Sequence, residues 1–359
     1  MSKSQPYTVA CAGGLVTASN AIDLLKTPGV ATELRNFEVS TKGGYRRING
    51  FTKFGGNSAV QPTGSSTTIL GAIPYADGVV VCAGTSIYFS QTGTSWLEIN
   101  RASVASSGDN HTAFTGRSVL TRTNQAQCQF ALFESATSNY GTLIISDGVN
   151  KPYAFRMEGT GSLTSRTFFG EEITVTGTKG VEYITVHDKH LIAAGVEDNL
   201  NTVFFSGTLD PTDFTSTGSG SIALEDQIKG IKSFRNELFI FCENSIFKLQ
   251  NINNSNTIAV IPVTKNVGCL SGHSIQEIAG DLIFLAPDGL RTVAGTARIG
   301  DVELGTVSSN IQNIVSDLAE SVNIFTINSV VLREKSQYRL FYTNIGADDS
   351  TQRGIIGTL

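Results

Sequence analysis

A pair of short apolar strands recurs along the chain from residue 70 onward. In each copy the first strand is followed by a polar or glycine-containing turn and by a second strand that often carries an aromatic residue. Short apolar runs bounded by turn residues predict β-hairpins. The hairpin occurs six times, at residues 78–82 with 87–89, 143–145 with 153–155, 191–193 with 203–205, 238–241 with 246–249, 282–285 with 290–293, and 339–342 with 354–356.

The spacing of the hairpins indicates the architecture. The central residues of successive hairpins are 64, 48, 48, 44 and 56 positions apart, and a four-stranded propeller blade takes about 40 to 50 residues. Hairpins that are apolar on both faces must be sandwiched between neighbours, and a ring of blades achieves this with only short exposed edges. The sequence therefore predicts an all-β, β-propeller-like fold of about six blades, some enlarged by loops. A β-sandwich or two small barrels is the alternative.

Two segments depart from this pattern. Residues 1–55 hold one helical turn, at 21–26, within a polar, glycine-rich run, which predicts an extended N-terminal arm ahead of a propeller domain at 56–359. Residues 308–320 predict one short amphipathic helix, because apolar residues recur there at helical spacing behind a Ser308-Ser309 cap candidate. The apolar residues of this helix are Ile311, Ile314, Val315 and Leu318.

The last predicted strand lies beside the C-terminal Leu359. Because a strand edge carries unpaired backbone groups, we expect this edge to pair with a strand near the N-terminus or with sequence beyond Leu359.

Composition narrows the function classes. The chain has 26 basic and 31 acidic residues, a net charge of −5, which argues against a protein that grips nucleic acid by neutralising phosphates. An acidic chain can still surround DNA without holding it.

The five cysteines are widely spaced and odd in number, which predicts reduced thiols buried as small apolar side chains. No signal peptide is expected, because the apolar run before Cys11 is too short, and no apolar run predicts a membrane span.

Motifs of catalysis and cofactor binding are missing from the sequence. There is no nucleophile elbow, phosphate-binding loop, dinucleotide fingerprint or zinc-protease motif. His187 and His190 stand three residues apart at a predicted turn, without the further ligands that a metal site needs, and we interpret them as part of a solvated turn. The sequence therefore predicts no enzyme activity, no catalytic residues, no cofactor and no metal.

Three stretches resemble the tail nozzle and tail hub proteins of short-tailed, podovirus-type bacteriophages. The first is Leu34-Arg35-Asn36-Phe37 with residues 43–51, Gly-Gly-Tyr-Arg-Arg-Ile-Asn-Gly-Phe, which is similar to an Arg-Arg-x-x-Gly signature near their N-terminus. The second is residues 203–214, similar to a blade strand and its exit turn, and the third is residues 286–293 with Arg298-Ile299-Gly300-Asp301 and the predicted helix at 308–320. Together they cover about a seventh of the chain, and many nozzle proteins of this family are longer than this one.

The resemblance implies a virion structural protein, made in the host cytoplasm and built into the viral tail. It implies a β-propeller that forms a homo-oligomeric ring, most often hexameric. Such a ring docks beneath the portal and adaptor, contacts tail fibre proteins, and extends the channel that serves DNA retention and ejection. DNA passes through that channel without specific binding, which agrees with an acidic chain.

Five residues are candidates for the subunit interface. Arg46 and Arg47, with their neighbour Tyr45, fit a solvated loop, and the alternative hypothesis is that they dock the arm against an acidic patch on a neighbouring subunit. Ile311 and Ile314 on the predicted helix either contact a partner or pack on the protein's own core.

Two other functions stay open: a carbohydrate-binding or glycan-hydrolysing propeller acting as a receptor-binding tail protein, and a monomeric interaction scaffold. The single tryptophan, Trp96, counts against sugar binding.

Overall fold

The computed structural model describes residues 11–40, 43–62, 69–99, 126–134, 140–162, 165–177, 180–254, 256–294, 306–321, 325–344 and 353–358. The chain divides into two compact units. The first, here called the discontinuous unit, joins Met1–Phe51 to Val263–Leu359, and the second, the central unit, is Thr52–Pro262. The predicted division into an arm at 1–55 and a propeller domain at 56–359 stays a prediction.

In its described residues the central unit contains four antiparallel sheets of four strands, and in each sheet the strands are neighbours in chain order. We number them blades 1 to 4. Blades 1 and 2 consist of β3 (Ile69–Tyr75), β4 (Gly78–Ala83), β5 (Ser86–Ser90), β6 (Leu97–Glu98), β7 (Gln129–Phe133), β8 (Thr142–Ser146), β9 (Tyr153–Glu158) and β10 (Thr167–Glu172). Blades 3 and 4 consist of β11 (Val181–His187), β12 (His190–Val196), β13 (Thr202–Phe205), β14 (Gly220–Ala223), β15 (Ile228–Phe234), β16 (Glu237–Cys242), β17 (Ile246–Gln250) and β18 (Ala259–Thr264).

The discontinuous unit contains two antiparallel sheets of three described strands, blades 5 and 6, and a separate two-stranded hairpin. It also holds a helical turn and a short helix. These elements are α1 (Ala21–Leu24), β1 (Phe37–Val39), β2 (Tyr45–Arg47), β19 (Gln276–Ile278), β20 (Asp281–Ala286), β21 (Gly289–Thr292), α2 (Gln312–Glu320), β22 (Phe325–Leu332), β23 (Gln337–Asn344) and β24 (Arg353–Thr358).

Each of the six predicted hairpins is present, one in each blade. The hairpins are the pairs β4–β5, β8–β9, β12–β13, β16–β17, β20–β21 and β23–β24. The fold class is therefore confirmed: the protein is all-β, with a six-blade β-propeller arrangement and, among the described residues, one short helix besides the turn α1. In the described residues β24 pairs only with β23, so the expected partner of its other edge stays a prediction.

Apolar packing between sheets explains why the hairpins are apolar on both faces. Every residue of β8 and of β12 is buried, which is expected for a strand covered by neighbouring sheets on both sides. In the central unit, Leu143 and Phe155 pack with the residues of blade 1, whereas Ile144 and Ala154, on the opposite face, pack with those of blade 3. Alternation along one strand therefore supplies two different cores.

Helix α2 covers the core of the discontinuous unit. Val315 and Leu318 are buried against blades 5 and 6, as their helical spacing predicts. The helix begins at Gln312, after a 3-10 turn, and not at the predicted Ser308-Ser309 cap. The Ser308 hydroxyl instead accepts a hydrogen bond from the Leu290 amide at 3.1 Å. It therefore makes a tertiary contact and does not cap the first turn of the helix.

Four of the five cysteines are buried and unbridged, as predicted, whereas Cys11 is exposed. In the part of the chain that the structure describes, no helix is both long and apolar enough to cross a membrane.

Candidate assembly surface

The hairpin β1–β2 contains three of the residues predicted for the interface. Its strands pair Phe37 with Arg47, Glu38 with Arg46 and Val39 with Tyr45. The turn that joins them closes through Gly43 and Gly44, both at positive φ, a conformation that residues with a side chain adopt only at a cost. Because side chains alternate along a strand, Glu38 and Arg46 share one face, and Phe37, Val39, Tyr45 and Arg47 share the other.

Glu38 lies at the centre of a group that we call the Glu38 cluster: Glu38, Arg46, Lys335 and Arg339. The Glu38 side chain is 0% exposed. Its Oε1 accepts hydrogen bonds from Arg46 Nε and Lys335 Nζ, both at 2.8 Å, and Oε2 accepts one from Arg339 Nη2 at 2.8 Å. The cluster thus joins the N-terminal hairpin to blade 6, across about 300 positions of the chain.

The ionisation of Glu38 follows from these contacts. Burial alone would raise the pKa of its carboxyl group, but hydrogen bonds from Lys335, Arg46 and Gln337 outweigh burial and lower the pKa from 4.5 to about 2. Glu38 is therefore a carboxylate at neutral pH.

A second set of contacts holds the chain before the hairpin. The Tyr45 hydroxyl lies 2.9 Å from the Gly29 carbonyl oxygen and 3.1 Å from that of Gly14. Leu15 and Ala31 form a parallel bridge at the same place. The chain before α1, at residues 14–15, and the chain after it, at residues 29–31, are therefore held together beside Tyr45.

The N-terminal segment also contacts the start of α2. The Thr17 and Ala18 amides donate to the Asn310 carbonyl oxygen, at 2.9 and 3.2 Å, and the Thr17 hydroxyl donates to Asn313 Oδ1 at 2.5 Å. Residues 11–51 therefore belong to the discontinuous unit through backbone as well as side-chain contacts.

Large apolar side chains project from this attached segment into solvent. Among the described residues, the three large aliphatic or phenylalanine side chains with the greatest exposure are Phe51 at 93%, Leu25 at 84% and Ile22 at 74%. Phe37 on the hairpin is also exposed. Scattered apolar residues are normal on a surface, but a concentration in one segment marks a place where contact is expected.

The structure separates the five predicted interface residues. Arg46 pairs with Glu38 of its own chain, whereas Arg47 is exposed on the opposite face of the hairpin. Tyr45 is half-buried against its own chain. Ile311 packs against the core of the discontinuous unit, and Ile314 is half-buried. Their role at an interface stays a prediction, with Arg47 the one that is exposed.

Glu38 was missed by sequence reasoning, although it organises this surface. A single glutamate in a polar arm carries no signal of burial, and two of its partners lie in blade 6. The one local hint is that Glu38 stands between two apolar neighbours, Phe37 and Val39.

The interpretation of His187 and His190 as part of a solvated turn was wrong in one respect. The turn exists, with Asp188 and Lys189 at positive φ between the paired histidines, but both rings are buried. His190 Nε2 lies 2.7 Å from Asn253 Oδ1, and His187 Nδ1 lies 2.9 Å from the Ser233 hydroxyl. Burial lowers the pKa of His187. The rings are therefore held by polar neighbours in the central unit.

The described residues contain no group of three or more His, Cys, Asp or Glu side chains arranged to hold a metal ion. The described contacts of the predicted interface residues are structural: ion pairs, carbonyl contacts and core packing.

Two tyrosines allow a matched test of how this surface is held. Tyr338 in β23 is almost fully buried and donates its hydroxyl proton to the Ser274 carbonyl oxygen at 2.8 Å. We expect Tyr338→Phe to lower the free energy of unfolding by about 1 to 2 kcal/mol, because a buried acceptor loses its donor. Tyr45→Phe should cost less than about 1 kcal/mol, since the Gly14 and Gly29 carbonyls also accept backbone amides. Urea denaturation measures both, and equal losses would contradict the prediction.

Comparisons with known proteins give the following likenesses. No protein-family model matches the chain, and no curated protein sequence matches it. Among solved structures, similar chains include the extracellular domain of a hybrid two-component system from B. thetaiotaomicron (TM-score 0.42, 9% identity, 83% of this chain and 34% of that one). Others are the Pan2 WD40 domain of Neurospora crassa (0.41, 10%, 77% and 72%) and PorZ, a surface component of the type-IX secretion system of Porphyromonas gingivalis (0.44, 12%, 80% and 38%). The chain spans about a third of the length of the first of these structures. At such identities no function is carried over.

Proposed function

We propose that this protein is a structural ring component of a bacteriophage tail, a nozzle or hub that extends the portal-adaptor channel and serves DNA retention and ejection. Its role is assembly and not catalysis. The ring is homo-oligomeric, with six copies as the number that the resemblance implies.

The observation that carries the proposal is the concentration of exposed apolar side chains on a segment that is itself firmly attached. Ile22, Leu25 and Phe51 are each more than 70% exposed, yet residues 11–51 are fastened by the Glu38 cluster and by contacts to α2. Because this apolar surface is already held in place, a partner can bind it without the entropic cost of ordering a flexible segment. Repetition of one such contact around a closed ring buries it in every copy.

The resemblance to nozzle and hub proteins supports the phage assignment. Its first stretch, residues 34–37 with 43–51, corresponds to the hairpin β1–β2 and its flanks. Its third stretch includes the turn after β20 and the whole of β21, while Arg298 to Asp301 fall outside the described residues. The acidic net charge is compatible with a conduit, because a channel that captured phosphates would hold its cargo.

Native mass spectrometry of the purified protein, alone and with portal-adaptor complex, tests this proposal. We expect a ring of about six copies for the unaltered protein. Ile22→Asp with Leu25→Asp should prevent the ring and leave the urea midpoint unchanged, because both side chains are in solvent in the single chain. Leu209→Asp is the matched control, since Leu209 is also well exposed but lies in the central unit.

A protein that stays monomeric in both conditions would overturn the proposal. A ring that also tolerates Ile22→Asp with Leu25→Asp would show that assembly uses another surface. Glycan-array binding by a monomer would instead favour a carbohydrate-binding tail protein.

A further inference from the structure

The charges of the Glu38 cluster do not balance. One carboxylate faces three cationic side chains, those of Arg46, Lys335 and Arg339. The cluster therefore carries a surplus of two positive charges, in a chain whose net charge is −5. This surplus is a local exception to the acidic character of the protein.

The surplus is presented to solvent and not buried. Arg339 is nearly buried, with a side chain 10% exposed, and is also bound to Gln337 Oε1 at 3.0 Å. The Arg46 and Lys335 side chains are 39% and 26% exposed. Arg46 bonds Glu38 through Nε and Nη2, and Lys335 through one of its three protons. Both side chains thus retain donors for a further anion.

Glu38 fixes the direction of these donors. A fully buried carboxylate with three charged partners restricts the rotamers of each, so less side-chain entropy remains to be lost when an anion binds. Two exposed cations match one carboxylate well, because arginine can bind a carboxylate through two parallel hydrogen bonds. A nucleic acid backbone instead needs a run of cations along many phosphates.

We propose that Arg46 and Lys335 form a site that receives a carboxylate from a second copy of this chain. This inference rests on the proposed ring, and it identifies Arg46 and Lys335 as the polar part of the contact between neighbouring copies. The occupant follows from charge: each copy carries 31 acidic residues against 26 basic ones, so a neighbouring copy can supply the carboxylate. In a ring with head-to-tail contacts, a basic site on one copy meets a different, acidic surface on the next. Ile22 and Leu25, in the same unit, supply the apolar part of the contact.

The test compares charge removal with charge retention. Arg46→Gln with Lys335→Gln removes two charges but keeps an N–H donor toward Glu38 at each position. Arg46→Lys with Lys335→Arg keeps both charges. The control, Arg35→Gln, removes one charge from an exposed ion pair of the discontinuous unit and is compared with Lys335→Gln alone. Ring formation is followed by native mass and by sedimentation at several salt concentrations, and folding by the urea midpoint. Lys335→Gln alone replaces the first variant if that variant does not fold.

We expect the charge-removing variant to weaken ring assembly by about tenfold or more and to reduce its salt dependence, while the other two variants stay within about threefold of the unaltered protein. Charge removal without effect on a ring that does form would overturn this inference and leave the proposed function standing. A protein that forms no ring would overturn both. Binding of a short DNA duplex that depends on Arg46 and Lys335 would overturn the inference in favour of a phosphate site.

Discussion

Replacing Glu38 by alanine should lower the free energy of unfolding by about 3 kcal/mol, because the loss of one partner leaves the others without their counter-charge. Arg339 would remain nearly buried, and Arg46 and Lys335 would repel each other and Arg339. The value is at the lower end of what buried pairs cost, since Arg46 and Lys335 still reach water. Urea denaturation measures the change, and proteolysis should show earlier cleavage between residues 11 and 51, which the cluster attaches to blade 6.

Glu33→Ala is the control for this prediction. Glu33 also pairs with an arginine, Arg35, at 2.9 Å, but both side chains are well exposed. Its loss should cost less than about 1 kcal/mol, because exposed ion pairs are screened by water and salt. Similar losses for Glu33→Ala and Glu38→Ala would contradict the assignment of Glu38 as the main attachment.

The contribution of Glu38 should also disappear in acid. The pKa of Glu38 is about 2 in the folded protein against 4.5 for the free group. A group whose pKa is lowered by folding stabilises the protein fully above its unfolded pKa, and this stabilisation is lost as the pH falls from about 4.5 toward about 2. The difference in stability between the unaltered protein and Glu38→Ala should therefore shrink across this window. A difference that stays constant would mean that the carboxylate charge is not what holds the hairpin.

Asp77→Ala should destabilise the central unit by about 2 kcal/mol, less than Glu38→Ala, because the Asp77 side chain is 47% exposed and water screens this pair. Arg166, between β9 and β10 of blade 2, has a side chain that is 1% exposed. It bonds Asp77, in the β3–β4 turn of blade 1, through two parallel contacts of 2.7 and 2.5 Å. The hydrogen bond from Arg166 lowers the pKa of Asp77 to about 2 against the opposing effect of burial. Removing the carboxylate leaves a buried guanidinium with the Gly161 carbonyl as its closest remaining oxygen partner, at 2.8 Å.

A double variant distinguishes the ion pair from ordinary packing. Asp77→Ala with Arg166→Met removes both charges, and we expect it to recover about half of the loss caused by Asp77→Ala, since an apolar side chain replaces the unpaired cation. Glu158→Ala in β9 serves as control, because its partner Arg156 is partly exposed, and it should cost less than about 1 kcal/mol. Additive losses in the double variant would mean that the pair contributes no coupling between blades 1 and 2.

Only part of the candidate assembly surface could be predicted from the sequence. The stretch Tyr45-Arg46-Arg47 was recognisable by its pattern, but its two arginines have different environments, since Arg46 faces Glu38 and Arg47 faces solvent. Strand alternation explains this difference, but only once a strand is known to form there. The exposure of Ile22 and Leu25 could not be predicted from the sequence, because an apolar residue in the N-terminal arm could equally be buried or exposed.

Local sequence preferences were enough to predict the six hairpins and the helical period of α2. Their strands are runs of apolar and β-branched or aromatic residues bounded by turn residues, and such local preferences act over a few positions, as in Leu238–Phe241 followed by Glu243-Asn244. Other features depend on contacts between distant parts of the chain, among them the burial of His190, the start of α2 at Gln312 and the approach of Glu38 to Arg339. A polar group can be buried only where partners form hydrogen bonds or ion pairs with it, and here those partners lie tens to hundreds of positions away, where no local pattern indicates them.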